Sequence, residues 1–239
     1  MFVIAAVTMS MITILSAFNG IEDLVQDLFG TLDADLAAVP ISGEVLPNEL
    51  GEIIGEYPGV AVYSAVIESE AIIRGNGVTQ ICSVLGVDAQ YGEVSQIDSA
   101  IVEGIWGRSF ENSQCVCLGY GIRSEMGIRS DSTYPPLMSL GAPVRGKKLS
   151  RHRERAFRTL PALACGTFSI NADLDTRYIL APLEFARELF DRPNVVSRFE
   201  IQVDEGVSAA RLATDENFIA ALGDNVHLRT REEKHTFIT

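Results

Sequence analysis

The chain has 239 residues, 47% hydrophobic and 21% charged, which excludes a disordered chain, a collagen and a small disulfide scaffold. Its formal charge of -13 is uneven: residues 1–143 carry 4 Arg/Lys against 18 Asp/Glu, residues 144–158 carry 7 against 1, and residues 159–239 carry 8 against 13. An acidic body excludes nucleic acid as the main partner, because phosphate binding needs a basic surface.

Met1–Ile21 contains no charged residue, and 14 of the 18 residues in Met1–Phe18 are apolar. At ~1.5 Å rise per residue such a run spans roughly 30 Å, the hydrocarbon core of a bilayer. A signal peptide needs a basic start and a small-x-small cleavage site, and a core helix this long is unusual in a domain this size. The run is therefore read as a membrane helix. With no basic flank ahead of it, the expectation is that the sequence starts inside the span. Ile21, Leu24, Val25, Leu28 and Phe29 then share one helical face, with Glu22, Asp23, Gln26 and Asp27 on the other. The helix is expected to emerge as an amphipathic rod ending near Gly30, so residues 1–29 form the first unit. The acids just past the span favour the non-cytoplasmic side.

The rest predicts an α+β fold of interleaved strands and helices without a regular βαβ period. Asp35–Val39 reads as a strand and Asn48–Glu56 as a helix. Ala61, Tyr63, Ala65, Ile67, Ala71 and Ile73 alternate along Val60–Arg74, a half-buried strand that Gly75-Asn76-Gly77 turns into Val78–Val87. Gln114–Leu118 predicts a strand and Gly119–Met126 a helix, with further strands at Leu163–Ile170 and Tyr178–Ala181. Pro182 opens a helix through Phe190. Phe199, Ile201 and Val203 alternate in a strand, and Ser208–Leu222 predicts the last helix. Arg229–His235 is polar, so residues 31–228 are the expected core domain and residues 229–239 lead toward a second membrane helix.

Motifs for chemistry are weak throughout. Gly141 to Lys148 matches G-x-x-x-x-G-K, but Lys148 stands where a nucleotide site needs a hydroxyl. Gly119-Tyr-Gly121-Ile-Arg-Ser124 lacks the third glycine of a dinucleotide fingerprint, and its glycines are read as permitting a tight strand-to-helix turn. Cys115 and Cys117 fall on one strand face, yet His152, His227 and His235 have no ligand spacing. Four scattered cysteines do not read as a disulfide framework, and Cys115 and Cys117 are expected to be buried and inert. No catalytic site, cofactor or metal is expected, and the chain does not read as an enzyme.

Ile14-Leu15-Ser16-Ala17-Phe18-Asn19-Gly20-Ile21-Glu22 resembles the end of the first membrane helix in lipoprotein-releasing (LolC/LolE-type) permeases, which belong with the FtsX-like permeases and carry a MacB-like periplasmic core domain. Leu85-Gly86-Val87-Asp88, Leu118–Gly121, Met126–Ile128, Ala164–Gly166 and Tyr178–Phe190 resemble successive stretches of that family. The likeness runs from about Ile14 to Val203, carried by the order and spacing of the motifs.

The resemblance implies a non-catalytic permease subunit of the bacterial inner membrane with its main domain in the periplasm. It implies a porter-like α/β part with an inserted β-rich part. It further implies a separate ATP-binding subunit, a second permease copy or paralogue, membrane lipid, a lipoprotein substrate and a periplasmic lipoprotein chaperone. A mechanotransmission or efflux permease of the same superfamily is the alternative within the family; a secreted binding module with an uncleaved leader is the alternative outside it. In some members a loop before the late strand recruits the chaperone. Here that place holds the basic segment, with Arg145, Lys147, Lys148, Arg151, Arg153, Arg155 and Arg158 as candidate partner contacts. The family pattern also leads to an alternating strand after Asp131, which Tyr134-Pro135-Pro136 opposes.

Overall fold

The computed structural model describes residues 9–16, 34–104, 106, 114–129, 135–143, 157–231 and 233. Residues 9–16 form helix α1, whose Met9, Met11, Ile12, Ile14 and Leu15 are all exposed. Thr13 returns its hydroxyl to the Met9 carbonyl at 2.8 Å, so this polar side chain is satisfied within the helix. Among the described residues no helix is long and apolar enough to cross a membrane. Most of the expected span, and all of its amphipathic continuation to Phe29, lie outside the described residues.

The expected hairpin forms from β3 (Val60–Gly75) and β4 (Val78–Val87), paired from Gly75↔Val78 to Val66↔Val87. Asn76 and Gly77 both take positive φ, 53° and 78°, the backbone that matches the twist of a two-residue hairpin. The expectation of one buried face holds only in part. Ser64, Ala65, Val66 and Ile67 are all buried, because the strand is covered on both sides here. Ala65 and Ile67 enter the larger core, and Val66 joins a second one with Leu85, Tyr91, Ile97 and Phe168. Two short helices missing from the alternation pattern supply that second cover, α3 (Tyr91–Val94) and α4 (Ile97–Ala100).

Ten strands among the described residues join one mixed sheet. One end runs β12 (Val226–Thr230), β1 (Leu36–Pro40), β11 (Arg198–Val203), then β3. Beyond β4 come β9 (Tyr178–Pro182), β6 (Cys115–Gly119), β8 (Phe157–Phe168) and β5 (Ile101–Gly104). The pairs β4–β9 and β6–β8 are parallel, the others antiparallel. β7 (Leu137–Pro143) pairs with both β8 and β3, which closes the circuit β3-β4-β9-β6-β8-β7. Helix α7 (Leu183–Phe190) packs across this circuit, burying Leu183, Phe185, Ala186, Leu189 and Phe190. A Cβ on Gly86 of β4 would lie 2.1 Å from the Ala186 Cβ, so glycine is what lets α7 approach the strand. Helix α2 (Leu50–Gly55) forms within the expected Asn48–Glu56, and a separate pair, β2 (Leu46–Pro47) with β10 (Val195–Val196), lies outside the sheet.

Several expectations need correction. The last helix is two, α8 (Ala209–Ala213) and α9 (Glu216–Leu222), because Asp215 leaves helical geometry and its carboxylate caps α9 at the Asn217 and Phe218 amides. Arg229 and Thr230, read as the start of a polar segment, complete β12, whose buried Val226 and Leu228 supply an alternation too short to stand out. β8 begins six residues before the expected Leu163, since pairing with β7 extends it. The strand sought after Asp131 starts only at Leu137, past both prolines. Helix α6 (Ala172–Arg177), capped by Asn171 accepting from the Leu174 amide, was also not foreseen.

Candidate functional site

The basic segment is carried by a two-stranded arm. β7 and β8 pair from Leu137↔Leu163 to Pro143↔Phe157, and residues 144–156 connect those last two positions. Met138, Leu140, Ala142 and Ala162 are buried on the inner face, while Leu137, Thr159 and Pro161 are exposed. Arg145, Lys147, Lys148, Arg151, Arg153 and Arg155 lie outside the described residues. Arg158 does not sit in a loop as expected. It belongs to β8, opposite Ala142, because the hairpin ladder extends beyond it.

From there Arg158 reaches the C-terminal end of α7. It donates to the Glu188 carbonyl at 2.7 Å and pairs with the Asp191 carboxylate at 3.0 Å. Asp191 ends the helix in left-handed geometry at φ 56°, a conformation that short polar side chains tolerate better than most. Unpaired carbonyls at a helix C-terminus attract a cation, so Arg158 suits this place. Between β8 and α7 lies a cleft of about 500 Å³ with Leu160 and Phe185 among its apolar lining and Arg158, Arg187, Glu188 and Asp191 among its charged lining. Arg187 is held by Glu184 and by the Asn48 side chain, each at 2.6 Å. Mixed charge over an apolar floor suits a polypeptide better than a phosphate. Among the described residues no cluster of His, Cys, Asp and Glu could hold a metal ion.

A second charged group lies on the other side of the sheet and was not foreseen. Arg198 donates Nε to the fully buried Glu200 at 2.6 Å and Nη1 to Glu68 at 2.5 Å, and Tyr178 donates its hydroxyl to Glu68 at 2.9 Å. Burial opposes the Arg198 charge, but Glu200 and Glu68 outweigh it and raise the guanidinium pKa. Burial likewise pushes Glu68 up, but Arg198 and the Tyr178 hydroxyl hold its carboxyl below the usual value. Tyr178 is pushed up to about 12, by burial first and by the Glu68 charge second. Arg198-x-Glu200 was a visible signal, since residues two apart share a strand face. The reading of β3 as half-exposed assigned its even positions to water and hid Glu68.

The motif-like stretches have structural explanations. Gly141–Pro143 is strand, and residues 144–148 of that motif lie outside the described residues. A Cβ on Gly119 would lie 2.2 Å from the Asp175 carbonyl oxygen and one on Gly121 2.5 Å from Thr176, so these glycines admit α6 beside α5 (Tyr120–Glu125). The expectation of an inert Cys115 is overturned, and the expectation that four cysteines form no disulfide framework holds only in part. Cys115 and Cys165 form a disulfide, with Cα atoms 5.4 Å apart. Cys82 and Cys117 are free and buried, and burial pushes both thiols up to about 12. A 50-residue separation in sequence gave no sign of the pairing. Disulfides persist in oxidising compartments, which agrees with an extracytoplasmic domain.

The MacB-like periplasmic core domain family matches residues 1–215, and the chain belongs to that family. It is an extracytoplasmic domain of an ABC-type transporter permease, a class that works with ATP-binding subunits, and this displaces the secreted-module alternative. Its fold is similar to the periplasmic region of MacB from Actinobacillus actinomycetemcomitans, with a TM-score of 0.62 at 10% identity, over 90% of this chain and 97% of that one. It is also similar to the extracellular domain of the noncanonic ABC-type transporter YknZ from Gram-positive bacteria, with a TM-score of 0.55 at 11% identity, over 82% and 99% of the two chains. No curated protein matches the sequence.

Proposed function

We propose that this chain serves a lipoprotein-releasing permease of the bacterial inner membrane, and that its basic segment docks a periplasmic lipoprotein carrier. The observation that carries this reading is the arm: its paired ends, Pro143 and Phe157, are where a segment with 6 basic residues and 1 acidic residue leaves and rejoins an acidic body. Such a segment creates a local positive field that steers an oppositely charged partner, raising the association rate most at low salt. The membrane anchor in this proposal is the apolar run that includes α1. Its exposed methionines, isoleucines and leucine, and the internally bonded Thr13, suit a helix in lipid, where every polar group must find its partner within the protein. ATP hydrolysis falls to the separate subunit, and a second permease copy or paralogue completes the transporter.

The test is association of the chain with a purified periplasmic lipoprotein carrier at two ionic strengths, with Arg151, Arg153 and Arg155 intact or all changed to Glu. The reading expects the charge-reversed form to associate more slowly, with a larger difference at low salt. Equal affinities at both salts would leave the segment merely solvated. A mechanotransmission or efflux permease is the second reading; it draws on the fold shared with the MacB region and gives the basic segment no special part.

A further inference from the structure

Cys165 holds a particular place in β8. Val116 pairs with Ala164 and Cys117 with Gly166, so Cys165 is the extra residue of a bulge in the parallel β6–β8 ladder. A bulge leaves one residue unpaired and bends its strand. On one side of the bulge β8 pairs with β7 and, at Leu163 and Ala164, with the start of β6; on the other it pairs with the rest of β6 and with β5. The bend therefore falls where the arm joins the central sheet. Gly104 of β5, at φ 79°, crowds the same point, since a Cβ there would lie 2.1 Å from the Cys165 carbonyl oxygen. The disulfide ties this bend to Cys115, the first residue of β6. Apart from the two β6 pairings at Leu163 and Ala164, the sheet attachment of the arm among the described residues is short: Ile72, Ile73 and Arg74 of β3 against Gly141, Leu140 and Ser139 of β7.

We propose that Cys115–Cys165 is a thiol-exchange site for an extracytoplasmic dithiol, and that its reduction lets the arm pivot about the bulge by opening the β3–β7 seam. Cys165 is half-buried and Cys115 is 7% exposed, so an incoming thiolate meets the Cys165 sulfur first. Its attack breaks the S–S bond and Cys115 leaves as a thiolate that takes up a proton. The donor's second thiol then attacks the mixed disulfide and releases Cys165. Two electrons pass to the cystine and the donor dithiol becomes a disulfide. Cys82 and Cys117 do not compete, because both are buried and protonated at neutral pH. The disulfide encloses β6, α5, β7 and β8 as far as Cys165, whereas β12, β1 and β11 lie outside its loop. Reduction is thus felt by the arm and not by that edge of the sheet.

The experiment treats the 239-residue chain, in detergent, with dithiothreitol under native conditions, then labels free thiols and follows amide exchange by mass spectrometry. Cys115 and Cys165 are expected to label together while Cys82 and Cys117 stay unlabelled. Exchange at Ile72–Arg74 and Ser139–Gly141 should accelerate about tenfold or more, with β1 and β11 unchanged. A Cys115→Ser/Cys165→Ser variant should show the same amide-exchange pattern without reductant. Four results would overturn the proposal: a disulfide inert until the chain unfolds, acceleration spread over the whole sheet, labelling with no change at the seam, or a double variant that cannot fold. Each would make the bond a structural staple.

Discussion

Arg198 and Arg158 are both strand arginines bonded to acids, and they occupy opposite physical regimes. Arg198 is sandwiched between Glu68 and Glu200 with side-chain exposures of 19%, 29% and 1%. Arg158 meets Asp191 at the rim of the cleft with exposures of 36% and 65%. In the first site water is largely excluded, so losing the cation strands two carboxylates. In the second, water and salt replace whatever is lost. The same pair of functional groups therefore belongs to the foundation of the sheet in one place and to an adjustable surface in the other.

The sharpest way to break that contrast is Arg198→Met, which leaves buried acids unpaired and should cost about 3–5 kcal/mol. Urea unfolding of the chain with an unchanged slope would read it out; a loss under about 1 kcal/mol would put Arg198 in the same regime as Arg158. Next in size is Gly86→Ala in the packed circuit. The new methyl collides with Ala186, so a loss of about 1–3 kcal/mol is expected. Ala186→Gly should recover part of it in a double-mutant cycle, and simple additivity would show that α7 shifts freely.

A pH titration separates the regions further. Because the folded-state pKa of Glu68 is lowered, its contribution is complete above the ordinary value of 4.5 and disappears as the pH falls below that. Tyr178 works at the other end. Its folded-state pKa is raised, so its contribution is present below 10 and is lost as the pH rises from there to about 12. Glu68→Gln should flatten the acid limb and Tyr178→Phe the alkaline limb; unchanged limbs would remove the cluster from the pH response. The smallest effect belongs to Arg158→Ala, under about 1 kcal/mol and fading with added salt, measured by the same unfolding experiment. A loss comparable to that of Arg198→Met would mean the clasp anchors α7.

How legible each region was follows from how local its signals are. The β3–β4 hairpin could be read because Gly75-Asn76-Gly77 interrupts two alternating runs, and turn chemistry acts over a few residues. Helix α7 could be read from Pro182 and its apolar face. The basic segment stood out by charge alone, but the strand that carries Arg158 did not, since the arm's ladder depends on β7, beyond two prolines. Helices α8 and α9 were merged because Asp215 works equally well as an exposed helix residue and as a cap, and only the chain's path decides between them.

Periodicity, turn residues and charge distribution by themselves determined the α+β class, the main hairpin, the late helix and the isolated basic stretch, because each is written in neighbours a few positions apart. The tertiary structure alone decided that β3 is covered on both faces, that Cys115 finds Cys165, and that Glu68 meets Arg198. Those outcomes join residues 50 or 130 positions apart. Nothing in local conformational preference distinguishes a strand that will be covered once from one covered twice; closure of the strand circuit brings those residues together.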